Sequence, residues 1–381
     1  MHRAGTWLLQ IVGGCGLLGL VAVFACGYAA AYVPPDASAW AWALGPFAVL
    51  LPAVSFVLVL GAVPALVLGV RQRRWMCVAG ATALLLPVAL RFGPVLAFPG
   101  GSAPTAAAEE LRVMTFNAST AVDAGSEAAT VLKAVRAADP DVLALQEAHV
   151  RTHPRRSPRY APSLQAMLRA GYRLPDVPTT RRVLQSVLSR RVAFDAALHN
   201  VIPPSDSIPP FRGQATASRV RFRWKGTSVT LYNVHLHTVS ARKPWRETPL
   251  RLGTLATWLT PGFWRPYVRS YREGARERAQ QARTLADLLR DEAGPVLVMG
   301  DFNSTRHHWV YRHIASGLRE AYVHRGPLRG ATYPARRPLV RIDHVLASPH
   351  WTVLDMQVPP CKTASDHRPV VARLRLDAIG P

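Results

Sequence analysis

Pro295-Val-Leu-Val-Met-Gly300-Asp301-Phe302-Asn303 is a short apolar run that stops abruptly at a carboxylate and an amide. Its length and its valines predict a buried strand, and the switch to Asp301 puts a reactive side chain at the strand's end. The pattern recurs three times. Leu111-Arg-Val-Met-Thr-Phe116 stops at Asn117, Asp141-Val-Leu-Ala-Leu-Gln146 stops at Glu147, and Thr227-Ser-Val-Thr-Leu-Tyr-Asn-Val234 stops at His235. Helical apolar spacing over residues 128–138 and 274–289 precedes the second and fourth of these strands, which predicts an α/β layered fold. In such a fold the strand ends on one sheet edge converge, and ligands occupy the crevice they form.

Nearer the C-terminus the same logic extends to Arg341-Ile-Asp343-His344-Val-Leu-Ala and to Ser365-Asp366-His367-Arg368-Pro369, which leads into a last strand over 370–376. Taken singly, an Asp or Asn at a strand end is a turn former and a His there is a satisfied surface residue. Together, Glu147, Asp301, Asp343 and Asp366 are four carboxylates expected at one edge, a set that repels itself unless a cation or proton joins it. Hard oxygen donors of this kind suit Mg²⁺, with Mn²⁺ as a substitute. Zinc is disfavoured, because the histidines lack metal-ligand spacing and no thiolate is near.

Working outward, the apolar residues crowd into the first hundred positions. Up to Gly100 the charged residues are Arg3, Asp36, Arg71, Arg73, Arg74 and Arg91, which leaves 41 of the 46 basic and 22 of the 23 acidic residues downstream. The downstream part therefore carries a surplus of 19 positive charges, which draws it toward anionic partners: nucleic acid, acidic lipid or a phosphorylated substrate. Three apolar stretches, 7–33, 40–70 and 75–98, are each long enough to cross a bilayer. Arg91 sits near the end of its stretch and can snorkel. The expected organisation is a three-helix transmembrane anchor over 1–98, a Pro/Gly/Ala/Ser-rich linker over 99–109 and a catalytic domain over 110–381. A rival reading makes residues 1–31 a cleaved signal peptide, given the small residues of Tyr28-Ala29-Ala30-Ala31. Only Cys361 of the four cysteines lies in the soluble part, so that part must be held by its core without a disulfide framework.

The motifs Phe116-Asn117, Leu145-Gln146-Glu147, Asn233-Val-His235-Leu, Gly300-Asp301-Phe302-Asn303, Ile342-Asp343-His344 and Ser365-Asp366-His367-Arg368-Pro369 resemble, in order, those of the endonuclease/exonuclease/phosphatase superfamily. The resemblance covers roughly residues 111–376. It implies a four-layer α/β sandwich, two packed β-sheets with helices outside, and metal-dependent phosphoester hydrolysis. It also implies roles. Glu147 is the principal metal ligand, with Asn117 and Asp366 completing the metal and phosphate environment. Asp301 orients and deprotonates the attacking water, Asn303 and His235 bond the non-bridging phosphate oxygens, and His367, oriented by Asp343, stabilises the transition state. One departure lies at Leu184-Gln-Ser-Val-Leu-Ser-Arg190, where a Gly-Asn pair is common in the family. Three apolar helices ahead of such a domain also resemble the VanJ-type teicoplanin-resistance membrane phosphatases, which implies a polyprenyl pyrophosphate-like lipid substrate. An extracytoplasmic nuclease or a phospholipid phosphodiesterase is the alternative enzyme, and a catalytically dead binding module a third reading that the complete residue set opposes.

One segment stands apart. Between His237 and Glu277, Trp245, Trp258, Phe263, Trp264, Tyr267 and Tyr271 are interleaved with Arg242, Lys243, Arg246, Arg251, Arg265, Arg269 and Arg272. Such a mixture suits the membrane interface, an ordinary packed subdomain, or single-stranded nucleic acid. The orientation of the anchor follows from Arg71, Arg73 and Arg74 between the second and third stretches, which mark the cytoplasmic side and place the catalytic domain outside. A reporter active only outside the cytoplasm, fused after Leu376, is expected to be active, whereas activity of a cytoplasmic reporter at the same position would reverse the topology.

Overall fold

The computed structural model describes residues 2–96, 110–118, 125–148, 150–153, 156–176, 182–183, 185–202, 216–239, 248–322, 330–361 and 365–377. The chain forms two units, Met1–Ala97 with His307–Arg312, and Phe98–Arg306 with His313–Pro381. The expected linker over 99–109 lies outside the described residues.

The first unit is helical: α1 (His2–Ala29), α2 (Gly45–Arg71) and α3 (Trp75–Leu96). The second apolar stretch opens as a 3-10 turn, Ala41–Leu44, and continues as α2 through Pro52 and Pro64. At 1.5 Å per residue α2 is about 40 Å long, more than a hydrocarbon core of about 30 Å requires. Among the described residues two helices are long and apolar enough to cross a membrane, within Ala41–Arg71 and Trp75–Phe92, while the apolar part described for α1 is the shorter Cys15–Ala29. Small residues let the helices approach: a Cβ on Gly27 would lie 2.6 Å from the carbonyl oxygen of Phe47 on α2. Phe24, Leu51, Leu58 and Val88 fill the space between them.

The second unit is built on strands, with helices between some of them. Its elements are β1 (Leu111–Asn117), α4 (Gly125–Ala138), β2 (Val142–Gln146), β3 (Val150–His153), β4 (Arg156–Tyr160), α5 (Pro162–Arg169), β5 (Arg182–Val183), β6 (Ser186–Ser189), β7 (Phe194–Leu198), β8 (Thr216–Trp224) and β9 (Thr227–His235). They continue with α6 (Leu255–Trp258), α7 (Pro261–Arg290), β10 (Val296–Asp301), α8 (Trp309–Ile314), whose residues 309–312 belong to the first unit, β11 (Arg319–Glu320), β12 (Asp343–Ala347), β13 (Trp351–Gln357) and β14 (Val370–Leu376).

Two mixed sheets result, ordered β13-β14-β1-β2-β6 and β11-β12-β10-β9-β8-β7, beside a small sheet β4-β3-β5. They share one apolar core. Val113, Val142, Ala372 and Leu374 of the first sheet pack with Val220, Leu231, Leu297, Met299 and Val345 of the second, around the buried Trp351. The far face of the first sheet buries Met114, Phe116, Leu143 and Leu145 with Val131 and Val135 of α4 and Leu164 and Met167 of α5. Burial on both faces explains why β2 and β10 read as unbroken apolar runs rather than alternating ones. On α7, Ala275, Ala279, Ala282 and Leu285 form a buried stripe at helical spacing.

Across the two sheets runs an amide bridge. Gln146 Nε2 at the end of β2 donates to Asn233 Oδ1 of β9 at 2.6 Å and to Thr115 Oγ1 at 3.0 Å. Asn233 Nδ2 in turn donates to the carbonyls of Leu145, at 3.0 Å, and Ser186, at 2.9 Å. Both side chains are fully buried. Asn233→Leu removes the acceptor of one buried amide and the donor to two carbonyls, so it should lower unfolding free energy by about 1–3 kcal/mol or more. Urea unfolding of the detergent-solubilised chain measures this, and an unchanged midpoint would show that the bridge contributes nothing.

Candidate active site

Register sets the site. β10 pairs in parallel with β9 and antiparallel with β12, so Asp301 lies opposite His235 on one side and opposite Asp343 on the other. In the other sheet β1 pairs in parallel with β2, which brings Asn117 level with Gln146 and hence beside Glu147. The close fit of β10 to β9 depends on Gly300, whose φ is +148° and whose Cβ, if it had one, would run into the Val234 carbonyl.

Asp301 is the hub, with 1% of its surface exposed. Its carboxylate accepts from Asn117 Nδ2 across the sheets at 3.1 Å and from the backbone N–H of Asn303 at 2.8 Å. His235 Nε2 lies 3.6 Å from it and His367 Nε2 lies 3.7 Å from it. Asn117 Nδ2 also donates to Glu147 Oε1 at 3.3 Å. Glu147 and Asn303 both hold left-handed backbone, with φ of +61° and +46°. Asn tolerates that conformation, Glu pays strain for it, and such strain collects at functional positions.

His367 completes the group. Its Nδ1 donates to Asp343 Oδ2 at 2.9 Å, while its Nε2 points toward Asp301. Its backbone N–H is held by Ser365 Oγ, which itself donates to the Asn117 carbonyl at 2.6 Å and so ties this loop to the end of β1. Burial alone would lower the imidazolium, but the carboxylates of Asp343 and Asp301 outweigh it and hold His367 up at about 10. Burial pushes the Asp301 carboxyl above the usual carboxylate range, against the pull of His367. His367 is thus a cation at neutral pH lying between two carboxylates.

All eight residues singled out in the sequence fall within this network. Asp366 is the most peripheral: its carboxylate is 43% exposed and lies 3.9 Å from His367 Nε2. Asp301, Asp343 and His367 bring ligand-capable atoms within 4.8 Å of one another. His367 Nδ1 is engaged with Asp343 Oδ2 and its Nε2 faces Asp301, so the trio forms an ion-pair network around Asp301. The hard oxygen donors suited to a divalent cation are the carboxylates of Glu147 and Asp366 and the amide oxygen of Asn117, whose NH₂ is turned toward Glu147 and Asp301.

Several supporting residues carry no reactive group and were not singled out in the sequence. Arg278 Nη1 donates to the His237 carbonyl at 3.1 Å and Gln281 Oε1 accepts from the His237 N–H at 2.9 Å, clamping the chain just after His235. The signal was polar residues on the buried stripe of α7. His344, which burial and the nearby Arg341 push down to about 3, lies between Glu320 and the Ser304 carbonyl, at 3.0 and 2.9 Å, and as a neutral ring donates to one of these two acceptors. Where the family commonly has Gly-Asn, Gln185 is fully buried and its carbonyl accepts from Ser218 Oγ.

A strand-edge cluster of this composition, with a buried carboxylate beside an imidazolium, has the kinds of group that phosphoester hydrolysis uses. Residues 114–367 match the Endonuclease/Exonuclease/phosphatase family, and the chain belongs to it. It is 39% identical over 107 residues to a UPF0294 protein of Vibrio cholerae serotype O1, a match covering 27% of this chain and 36% of that one. The chain thus spans about a third of the length of the curated relatives it matches. Among solved structures it is similar to an endonuclease/exonuclease/phosphatase from Bacteroides vulgatus, at 18% identity, covering 71% of this chain and all of that one with a TM-score of 0.49. It is similar also to D. rerio TDP2 complexed with single strand DNA product, at 14% identity over 70% of this chain and 99% of that one, TM-score 0.49.

Asp343 is the largest of the influences that raise His367. His367 loses its proton as pH rises through about 10, so hydrolysis in the wild type should hold through the mildly alkaline range. Asp343→Asn removes that support, and the alkaline limb of kcat/KM should then move down toward neutral pH. An alkaline limb that stays in place would dissociate it from the His367–Asp343 pair.

Proposed function

We propose that the protein is a membrane-anchored, Mg²⁺-dependent phosphatase or pyrophosphatase acting on a lipid-linked substrate, polyprenyl pyrophosphate-like, at the outer face of a cell membrane. The observation that carries the chemistry is the in-register row His235, Asp301 and Asp343, with Asn117 reaching Asp301 from the facing sheet. In this reading Asp301 takes a proton from water as its oxygen bonds to phosphorus. The bond from phosphorus to the leaving oxygen breaks, and that oxygen leaves with the electron pair. His235, Asn303 and the His367 cation stabilise the charge that accumulates on the non-bridging oxygens, most strongly in the transition state. Burial suits this, because charges act over short distances without competition from water. Glu147 would hold the metal with Asn117 and Asp366, and the ion, Mg²⁺ or Mn²⁺, would supply further neutralisation of phosphate charge.

Membrane anchoring is supported by α2 and α3, long and apolar enough to span, with α1 as a third candidate. Their outward residues are apolar too: Phe56, Leu60, Met76 and Leu90 are all more than half exposed. A helix apolar on every side belongs in lipid or in a large core. A multi-pass anchor of the VanJ type serves an amphiphilic substrate, whose headgroup must be met where its tail is held. The basic surplus of the downstream part supports a nuclease instead, so the decisive comparison offers the full chain a lipid pyrophosphate, a lipid phosphodiester and plasmid DNA in parallel.

Phosphate release from the lipid pyrophosphate is expected, silenced by chelator and restored by Mg²⁺ or Mn²⁺; plasmid cleavage without it would overturn the lipid reading. Asp301→Asn and His367→Ala should each lower turnover on the order of a hundredfold or more, with the fold retained by circular dichroism. Near-normal turnover in either variant would remove that residue from the mechanism.

A further inference from the structure

The aromatic and basic segment ahead of α7 is not used by the chemistry above. Its rings turn out to be structural. Trp258 at the end of α6 packs on Phe263 and edge-on to Trp264, both with centroids 5.3 Å away. Trp264 Nε1 donates to the Trp258 carbonyl at 2.9 Å, and Trp258 Nε1 to that of Thr248 at 3.1 Å. Tyr267 and Tyr271 continue the ladder along α7, with Tyr271 buried. Trp245, Arg242, Lys243 and Arg246 lie outside the described residues.

What the ladder holds outward is aliphatic. Leu250 is 60% exposed, Leu252 95%, Leu255 45%, Leu259 76% and Val268 41%. Leaving one such side chain in water is ordinary, but five within nineteen residues form a patch that calls for a partner. The charge along the segment is mainly positive: Arg251, Arg265, Arg269 and Arg272 are all exposed, with Glu273, which pairs with Arg269 at 3.0 Å, at its far end. Exposed apolar tips in a segment that also carries exposed guanidinium groups match the two layers of an anionic bilayer surface, acyl chain beneath and phosphate above.

We propose that this segment, residues 250–268, is a second membrane contact, which seats its leucines in the outer part of an anionic phospholipid leaflet. It rests on the reading of the chain as a membrane protein and names an additional partner surface for it. The helical anchor tethers; the leucine turn would fix the orientation of the catalytic unit against the lipid from which the substrate headgroup is drawn.

The test places p-benzoylphenylalanine at Leu252, at Leu259 or, as a control on the edge strand β7, at Leu198, which is 55% exposed. The full chain is reconstituted into vesicles of phosphatidylcholine with phosphatidylglycerol and irradiated, and lipid adducts are measured by mass spectrometry. Adducts at Leu252 and Leu259 should exceed those at Leu198 about fivefold or more, and should fall when phosphatidylglycerol is omitted or when Arg265→Glu and Arg269→Glu are combined. Equal adducts at all three positions in a chain that floats with the vesicles would overturn this contact and leave the anchor intact. A chain that fails to float would overturn both. Adducts formed with an added single-stranded oligonucleotide in preference to lipid would assign the surface to nucleic acid instead.

Discussion

The hydrogen bond from Gln146 to Asn233 joins, at the end of an otherwise largely apolar interface, two sheets that Asn117 and Asp301 also link across the site. Apolar packing is non-directional and tolerates sliding by fractions of an ångström. A buried amide pair does not, because each misplaced donor or acceptor is left without water to replace its partner. The bridge lies immediately before Glu147 and two residues before His235, so it fixes where the end of one sheet stands relative to the other. Asn117, Glu147 and His367 are carried by the first sheet and its loops, and His235, Asp301, Asn303 and Asp343 by the second. A site divided between two sheets requires such a lock.

Given that lock, the electrostatics follow from burial. Asp301 has lost its water and gained the Asn303 N–H, the Asn117 amide and two imidazoles. Its carboxyl is raised, which suits a base working near neutral pH. His367 is driven the opposite way by Asp343 and Asp301 and remains a cation. Placing a base and a fixed positive charge at one point gives the site a proton acceptor and a stabiliser of anionic oxygen together. His344, one residue beyond Asp343 and equally buried, is held neutral because burial and Arg341 outweigh its neighbours. Two histidines of similar burial are therefore driven in opposite directions, His367 by the carboxylates of Asp343 and Asp301 and His344 by burial and the Arg341 cation.

The segment 248–272 shows a similar division of labour among residues of similar type. Composition drew attention to tryptophan and tyrosine, large rings that suit an interface. In the fold these rings satisfy their N–H groups on nearby carbonyls and stack on one another, and the leucines between them meet solvent. Hydrophobic residues are sorted by what the local backbone leaves covered, and the largest ones find cover first.

The sequence by itself determined the strands β1, β2, β9 and β10, because short, largely apolar runs that stop at a polar side chain have few other uses in a fold of this kind. It determined that each ends in a group capable of chemistry, and the order of its six motifs carried the family. It also placed the apolar helices near the N-terminus, although α2 begins later than the apolar stretch does, after a 3-10 turn. Tertiary structure decided the rest. That Asp301 faces His235 and Asp343 is a matter of register, and that it meets Asn117 is a matter of how two sheets stack. The supporting roles of Gln146, Asn233, Ser365, Arg278 and Gln281, and the opposite pKa directions of His344 and His367, depend on long-range contacts; the hydrogen bonds that link Ser365 to Asn117 and the histidines to their partners join residues from 24 to 248 positions apart. Local propensity and periodicity reach only a few residues along the chain, whereas the energy of a buried charge or amide is set by whatever the fold brings within a few ångströms of it.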